Sequence, residues 1–232
     1  MNESRPSKAQ EAFLKAEKRH HILVGSARFL VFFLFAGLWE ISADLGLIDA
    51  FIFSSPSRIF LCFYTMAMDK SIFLHIGITL YETLISFLLT VFVSVTLAVL
   101  LWSNRTASQI AEPYLVMLNS LPKSALAPLL IVWLGSHMHT IILAAVSVAV
   151  FGSILTLYTG FTQTDPDLIR LIRSLGGSKQ DVLVKVLIPS SIPLLISTMK
   201  VNIGLCLVGV IIGEFLCAKA GLGYLIIYAS QV

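Results

Sequence analysis

Long apolar runs alternate with short polar ones along this chain. Runs near 22–43, 76–102, 112–134, 138–161 and 190–217 each supply the roughly 20 apolar residues a helix needs to cross a bilayer. A further run opens with GLGYLIIYASQV at 221–232 and stops at Val232, so it is expected to begin a sixth span without completing it. Lipid offers backbone groups no hydrogen bonds, so such runs are helices. The expected fold class is all-α: a polytopic bundle of about five complete spans plus the start of a sixth.

One polar stretch interrupts the apolar pattern in an organised way. In DPDLIRLIRSLGGSKQDVLVKVLIP, Asp165–Pro189, Asp165 can N-cap a helix that carries Pro166 in its first position and Asp167 in its first turn. Gly176 and Gly177 can end that helix, because glycine accepts the left-handed conformation of a C-terminal cap. Ser178 and Asp181 have capping-box spacing and start a second helix, which Pro189 either ends or hands to the next span. The pattern predicts helix, glycine elbow and helix, displayed outside the bilayer. Leu168, Leu171, Ile172 and Leu175 make one apolar face, flanked by Arg170 and Arg173. That face either lies in a groove on a soluble partner or packs against the chain's own helices. Elsewhere, Pro122 and Pro128 are expected to break the third span, as a packing kink or as part of a transport path. The small residues Ala144, Ala145, Ser147, Ala149, Gly152 and Ser153 suit close helix contacts in the fourth.

Composition agrees with the pattern. Of 232 residues, 57% are hydrophobic and 12% charged, against roughly 25% charged in soluble domains. The net charge of +3 is small and concentrated in the tail and loops, which argues for membrane orientation and against nucleic-acid binding. Lys and Arg cluster before the first span and in the 162–189 loop, so both are expected on the cytoplasmic side. The chain then divides into a cytoplasmic tail, 1–21, and a transmembrane domain, 22–232, with the loop 162–189 facing the cytoplasm. The segment 44–75 faces outward and is long enough to touch an external partner. No small-residue cleavage site follows the first apolar run, so that run is expected to be a retained span. Cys62, Cys206 and Cys217 have neither metal spacing nor a disulfide framework.

Charges inside spans are costly and each needs a reason. Glu214, near the outer end of the fifth span, either lines a path, pairs with Lys219 or sits at headgroup level. Glu82 is expected to pair with a basic group of another span. Glu40 and Asp44 are expected in the interface, and Lys200, near Asn202, is expected to snorkel. Asn119 and Lys123 flank the break at Pro122, where they either contact an anionic substrate or serve structure; charge counting puts them nearer the cytoplasm than the midplane. His137 and His139 are expected to be solvated, with no metal site. There is no catalytic constellation: no phosphate loop, zinc helix or nucleophile elbow. The chain is therefore not expected to hydrolyse ATP.

These residues resemble a known family, the membrane-spanning permease subunit of bacterial ATP-binding-cassette importers, in particular the nitrate/sulfonate/taurine type. The family's cytoplasmic signature is Glu-Ala-Ala, three residues, Gly, nine residues, then Ile-x-Leu-Pro. Gly176, Val186, Ile188 and Pro189 fall at the matching spacing, and Arg173-Ser174-Leu175-Gly176 reads like the usual continuation. The opening triplet departs, with Arg170-Leu171-Ile172 in place of Glu-Ala-Ala. LWEISADLGLI at 38–48, SPSRI at 55–59, NSLPKSALAPLLIVWLG at 119–135 and GEFLCAKAGLGYLI at 213–226 follow the subfamily in order and spacing. Family members complete their last span; a chain ending at Val232 is expected to be a fragment, a truncated product or a variant.

The resemblance implies the type I importer permease fold in the bacterial cytoplasmic membrane. It also implies partners: a second permease subunit, expected as a homodimer, a dimer of ATPase subunits docked on the coupling loop, and an extracytoplasmic solute-binding protein. ATP and Mg belong to the ATPase, and no cofactor is expected on this chain. The implied substrate is a small anion or organic solute such as sulfonate, taurine or nitrate, with a heterocyclic vitamin precursor as the alternative. A second reading is a non-transporting membrane scaffold or an inactive truncated permease.

Overall fold

The computed structural model describes residues 8–231, and every regular element among them is helical. The chain divides between Lys70 and Ser71 into two compact units.

The first unit contains α1 (Lys8–Asp44), α2 (Ala50–Phe53) and α3 (Pro56–Met68). The apolar part of α1 is exposed along Phe29–Phe35, the surface expected of a helix whose solvent is lipid. The helix does not begin at the apolar run. Its charged start at Lys8 continues into the span without a break. The segment that follows α1 is also more ordered than a loop. Ser55 N-caps α3, with Pro56 in its first turn. Glu40 accepts from the Ser57 backbone N–H at 2.9 Å and the Ser57 hydroxyl at 2.6 Å. Glu40 is therefore a carboxylate bound at a helix N-terminus, where the exposed N–H groups favour negative charge.

The second unit holds α4 (Ser71–Ser103), α5 (Arg105–Ser120), α6 (Lys123–Leu134), α7 (Met138–Thr162), α8 (Pro166–Ser174), α9 (Lys179–Val182), α10 (Ile188–Cys217) and α11 (Leu222–Gln231). Among the described residues four helices are long and apolar enough to cross a membrane, or five if the bent pair α5–α6 is one span. That pair carries the break expected at Pro122, but it starts earlier than the run at 112–134. The first helix starts at Arg105, capped by Asn104, and the chain then turns by 102°. The break lies at Leu121–Pro122, where both residues leave helical geometry. Pro128 and Pro113 stay inside helices.

The centre of this unit is α4, α7 and α10. Gly209 and Gly213 of α10 let it approach α7 closely: a Cβ on Gly209 would lie 2.6 Å from Ala145 Cα, and one on Gly213 2.9 Å from an Ile141 side-chain carbon. Dispersion at short range, rather than hydrophobic exclusion, holds helices together in lipid. Ala98, Leu157, Phe161 and Leu187 form a second apolar cluster at the end that carries α8 and α9.

Pro189 does not end a helix. From Lys179 to Cys217 the chain is a single helical run of 39 residues, wound as a π-helix over Leu183–Leu187. The cause is local. Pro189 has no N–H to offer the Lys185 carbonyl, and its ring would collide with that carbonyl in an α-helix. The wider turn, in which the Ile188 N–H bonds to the Leu183 carbonyl, carries the helix past this point.

Candidate functional site

Three constellations in the second unit carry the polar chemistry. The first is the 162–189 segment. Asp165 Oδ1 accepts from the Asp167 N–H at 2.8 Å, and Pro166 follows the cap. At the other end of α8, the Gly177 N–H bonds to the Ile172 carbonyl at 2.9 Å and the Gly176 N–H to Arg173 at 3.0 Å. This is a Schellman closure, and Gly176, at φ +80°, supplies its left-handed residue. Ser178 and Asp181 then form the reciprocal capping box. Asp181 also bonds Lys185 at 2.6 Å. That bond, with those from Ser178, holds its carboxyl well below the usual carboxylate range.

The faces of α8 are distinct. Leu168, Leu171 and Leu175 are exposed, Leu175 by 76%. Ile169 and Ile172 are turned partly inward, so Ile172 is not on the outer apolar face assigned to it by sequence; Gly177 packs over it. Arg170 pairs with Asp167 at 3.2 Å on the surface, and Arg173 is exposed. The segment is fastened to the bundle by Lys179, whose Nζ donates to the Ser103 carbonyl at the end of α4 and stands 5.7 Å over the Trp102 ring.

The second constellation is a cavity of about 320 Å³ between the α5–α6 break, α7 and α10. Asn119 and Lys123 line it from the break, Ser153 and Thr156 from α7, and Thr198 and Asn202 from α10. Ser153 donates to Asn202 Oδ1 at 2.7 Å, and Asn202 is 3% exposed. Asn202 lies about 21 Å along α10 from either end at 1.5 Å per residue. Asn119 and Lys123 line the same cavity as Asn202. Pro122 sits at the break itself, at the N-terminus of α6, without a side-chain cap.

The third constellation surrounds Glu214, which is fully buried. Thr79 donates to its Oε1 at 2.7 Å, and the Gly223 N–H donates to its Oε2 at 2.7 Å. His75 Nδ1 accepts from the Gly221 N–H at 3.0 Å, and Thr79 Oγ1 accepts from Leu222 at 2.9 Å. The chain reverses here through Gly221 at φ +117°, where a Cβ would lie 2.3 Å from the Glu214 carboxylate. So Glu214 neither pairs with Lys219 nor sits among headgroups, and it lies apart from the cavity of Asn119 and Lys123. It is the anchor that fixes the start of α11. Glu82, 2% exposed, lies against Glu214 rather than a cation, and its Oε2 has no hydrogen-bond partner. The sequence reading missed Thr79, His75, Gly221 and Gly223; the glycine pair after Glu214 was the available signal. Among the described residues no cluster could hold a metal ion.

Residues 90–232 match the family described as the binding-protein-dependent transport system inner membrane component. The chain belongs to this family. A probable ABC transporter permease protein of Haemophilus influenzae is 30% identical over 193 residues, covering 83% of this chain and 78% of the relative. The permease SsuC of Bacillus subtilis, named for aliphatic sulfonates transport, is 25% identical over 84% of this chain and 70% of its own length. The formylaminopyrimidine transport permease protein ThiX of Halalkalibacterium halodurans is 26% identical over 84% and 77%. This permease subunit of a transport system is thus an all-helical, multi-pass protein of the inner membrane.

Proposed function

We propose that this permease subunit forms the path of an ATP-driven importer and docks a separate ATPase through α8 and α9. The observation that carries the reading is the exposed leucine face of α8. Leu168, Leu171 and Leu175 follow helical spacing and are exposed, Leu171 and Leu175 most. Caps at both ends fix that helix, and the next helix runs unbroken from Lys179 into the membrane. A capped amphipathic helix suits a groove on a soluble partner, and Arg170 and Arg173 suit acidic residues at its rim.

In this reading the N-terminus and the 162–189 loop are cytoplasmic. ATP and Mg are used by the docked ATPase dimer. A second copy of the permease completes the path, and a solute-binding protein delivers substrate from outside. The relatives named for aliphatic sulfonates and for formylaminopyrimidine support an organic solute as cargo, within the small-anion and vitamin-precursor classes.

Co-purification from native membranes tests the docking. Wild type should bring down an ATPase subunit, and the Leu171→Asp, Leu175→Asp double variant, at two exposed positions, should lose it while keeping its thermal unfolding in detergent. An ATPase retained by the folded variant, or absent from both forms, refutes the reading.

A further inference from the structure

We infer that the corner where the end of α4, the start of α5, the end of α7 and α8 meet is a binding site for the phosphate group of an anionic phospholipid. The site stands apart from the docking reading; only its consequence for a docked ATPase rests on that reading.

A cavity of about 340 Å³ opens at this corner. Trp102, the last residue but one of α4, and Thr162, the last of α7, both line it. Both helices are long enough to span, so the cavity lies at headgroup level, on the membrane surface that carries α8. Arg105, the first residue of α5, lines it and is exposed. No Asp or Glu lines the cavity, and Arg105 has no carboxylate partner among the described residues. The nearby acids of α8 are engaged elsewhere: Asp167 pairs with Arg170, and Asp165 caps the helix. A second cation stands beside the cavity, since Lys179 Nζ lies 5.7 Å over the Trp102 ring. The corner therefore carries positive charge with no acid of its own to balance it.

The rest of the lining says what kind of anion fits. Ser108 and Thr162 donate their hydroxyl hydrogens to the Arg105 and Thr159 carbonyls. Asn104 takes the Thr106 and Ala107 N–H groups. What remains to offer a ligand is the Arg105 guanidinium, with the Trp102 indole N–H and the Tyr158 hydroxyl. A guanidinium fork matches two oxygens of one phosphate. Trp and Tyr rings have an apolar body and a polar tip, and they favour the boundary between hydrocarbon and water. Free phosphate would meet the donors and leave the rings wet. A phospholipid meets both, with its phosphate on Arg105 and its glycerol carbons on the rings. A zwitterionic headgroup brings its own cation towards Arg105 and Lys179, whereas an anionic one does not, so the charge selects the anionic lipid. Ile169 of α8 lines the same cavity. The bound headgroup thus packs behind the inner face of that helix and steadies it from the membrane side.

The test uses the full-length permease in nanodiscs of phosphatidylcholine, with and without added phosphatidylglycerol. Native mass spectrometry counts the retained lipid, and hydrogen exchange is read at the amides of 167–174, with those of α7 as reference. Wild type should retain phosphatidylglycerol in preference to phosphatidylcholine, and the added lipid should slow exchange in α8. Arg105→Gln, at an exposed position, should keep its thermal unfolding and weaken retention by about 10- to 100-fold, the loss of a charge-assisted hydrogen bond. Arg105→Lys should restore part of it, and Tyr158→Phe, which removes one hydroxyl, should weaken it by about 2- to 10-fold. The inference is overturned if phosphatidylglycerol is retained no better than phosphatidylcholine, if Arg105→Gln retains it as wild type does, or if α8 exchanges alike with and without it. Inorganic phosphate that slows α8 in phosphatidylcholine nanodiscs as much as the lipid does would also overturn it, by making this a site for free phosphate. None of these readouts involves an ATPase, so the lipid site and the docking reading fail separately.

Discussion

Replacing Glu214 by Ala and by Gln should have very different consequences. Three backbone N–H groups at the turn into α11 find partners here: Gly221 on His75, Leu222 on Thr79 and Gly223 on Glu214. In Glu214→Ala, Thr79 can turn its hydrogen fully to the His75 carbonyl, 3.1 Å away, so the Gly223 N–H alone is orphaned. An unsatisfied buried donor costs about 1–3 kcal/mol, which is about a 5- to 150-fold shift in the local opening equilibrium. In Glu214→Gln the new carbonyl still accepts from Gly223, and the N–H2 faces Thr79 Oγ1, which has a lone pair to spare. That variant should shift opening by less than about fivefold. Hydrogen exchange in nanodiscs reads both, at the amides of residues 222–224, with those of α7 as internal reference. Equal acceleration in the two variants would show that charge, not acceptor geometry, holds the turn. No acceleration in Glu214→Ala would refute the anchoring role altogether.

Other substitutions probe other contacts. Gly209→Val meets Ala145 backbone that cannot move aside, so it should destabilise by about 1–3 kcal/mol and lower the unfolding temperature in detergent, whereas Gly204→Ala, with open space around it, should not. Ser178→Ala removes the α9 cap and should raise amide exchange at Asp181, consistent with a loss of about 0.5–2 kcal/mol. Because Asp181 has a lowered folded-state pKa, its contribution is complete above the ordinary aspartate value and is lost only as pH falls through the depressed one. Exchange protection at Asp181, corrected for intrinsic rates, should therefore be flat from pH 7 to about 4 in wild type, and a drop across that window would contradict the geometry. Lys179→Gln removes the cation over Trp102; with Trp39 and Trp133 replaced by Phe, the Trp102 emission should shift, and an unchanged spectrum would place Lys179 elsewhere.

Much of this architecture was legible as sequence because it rests on local rules. Apolar run length marks the spanning helices, and Asp165, Gly176 and the Ser178–Asp181 pair mark the caps with no knowledge of neighbours. What escaped depends on partners far along the chain. Glu214 meets Thr79 across 135 positions, and Asn202 meets Ser153 across 49, so neither partner shows in a window of one helix. The company of Asn119 and Lys123 was hidden for the same reason: the cavity they line also takes residues from α7 and α10. Pro189 left two alternatives, ending a helix or handing it to the next span, and the chain takes the second through a π turn. A π turn is a rarer resolution and has no simple compositional mark.

That unbroken helix has a mechanical meaning. From Lys179 to Asn202 is about 35 Å of continuous helix at 1.5 Å per residue, with no glycine between them. The π turn at Leu183–Leu187 and the prolines at 189 and 193 are the places in this rod where a displacement at one end can be absorbed. They set how much of a tilt imposed at Lys179 would reach the wall of the cavity at Asn202.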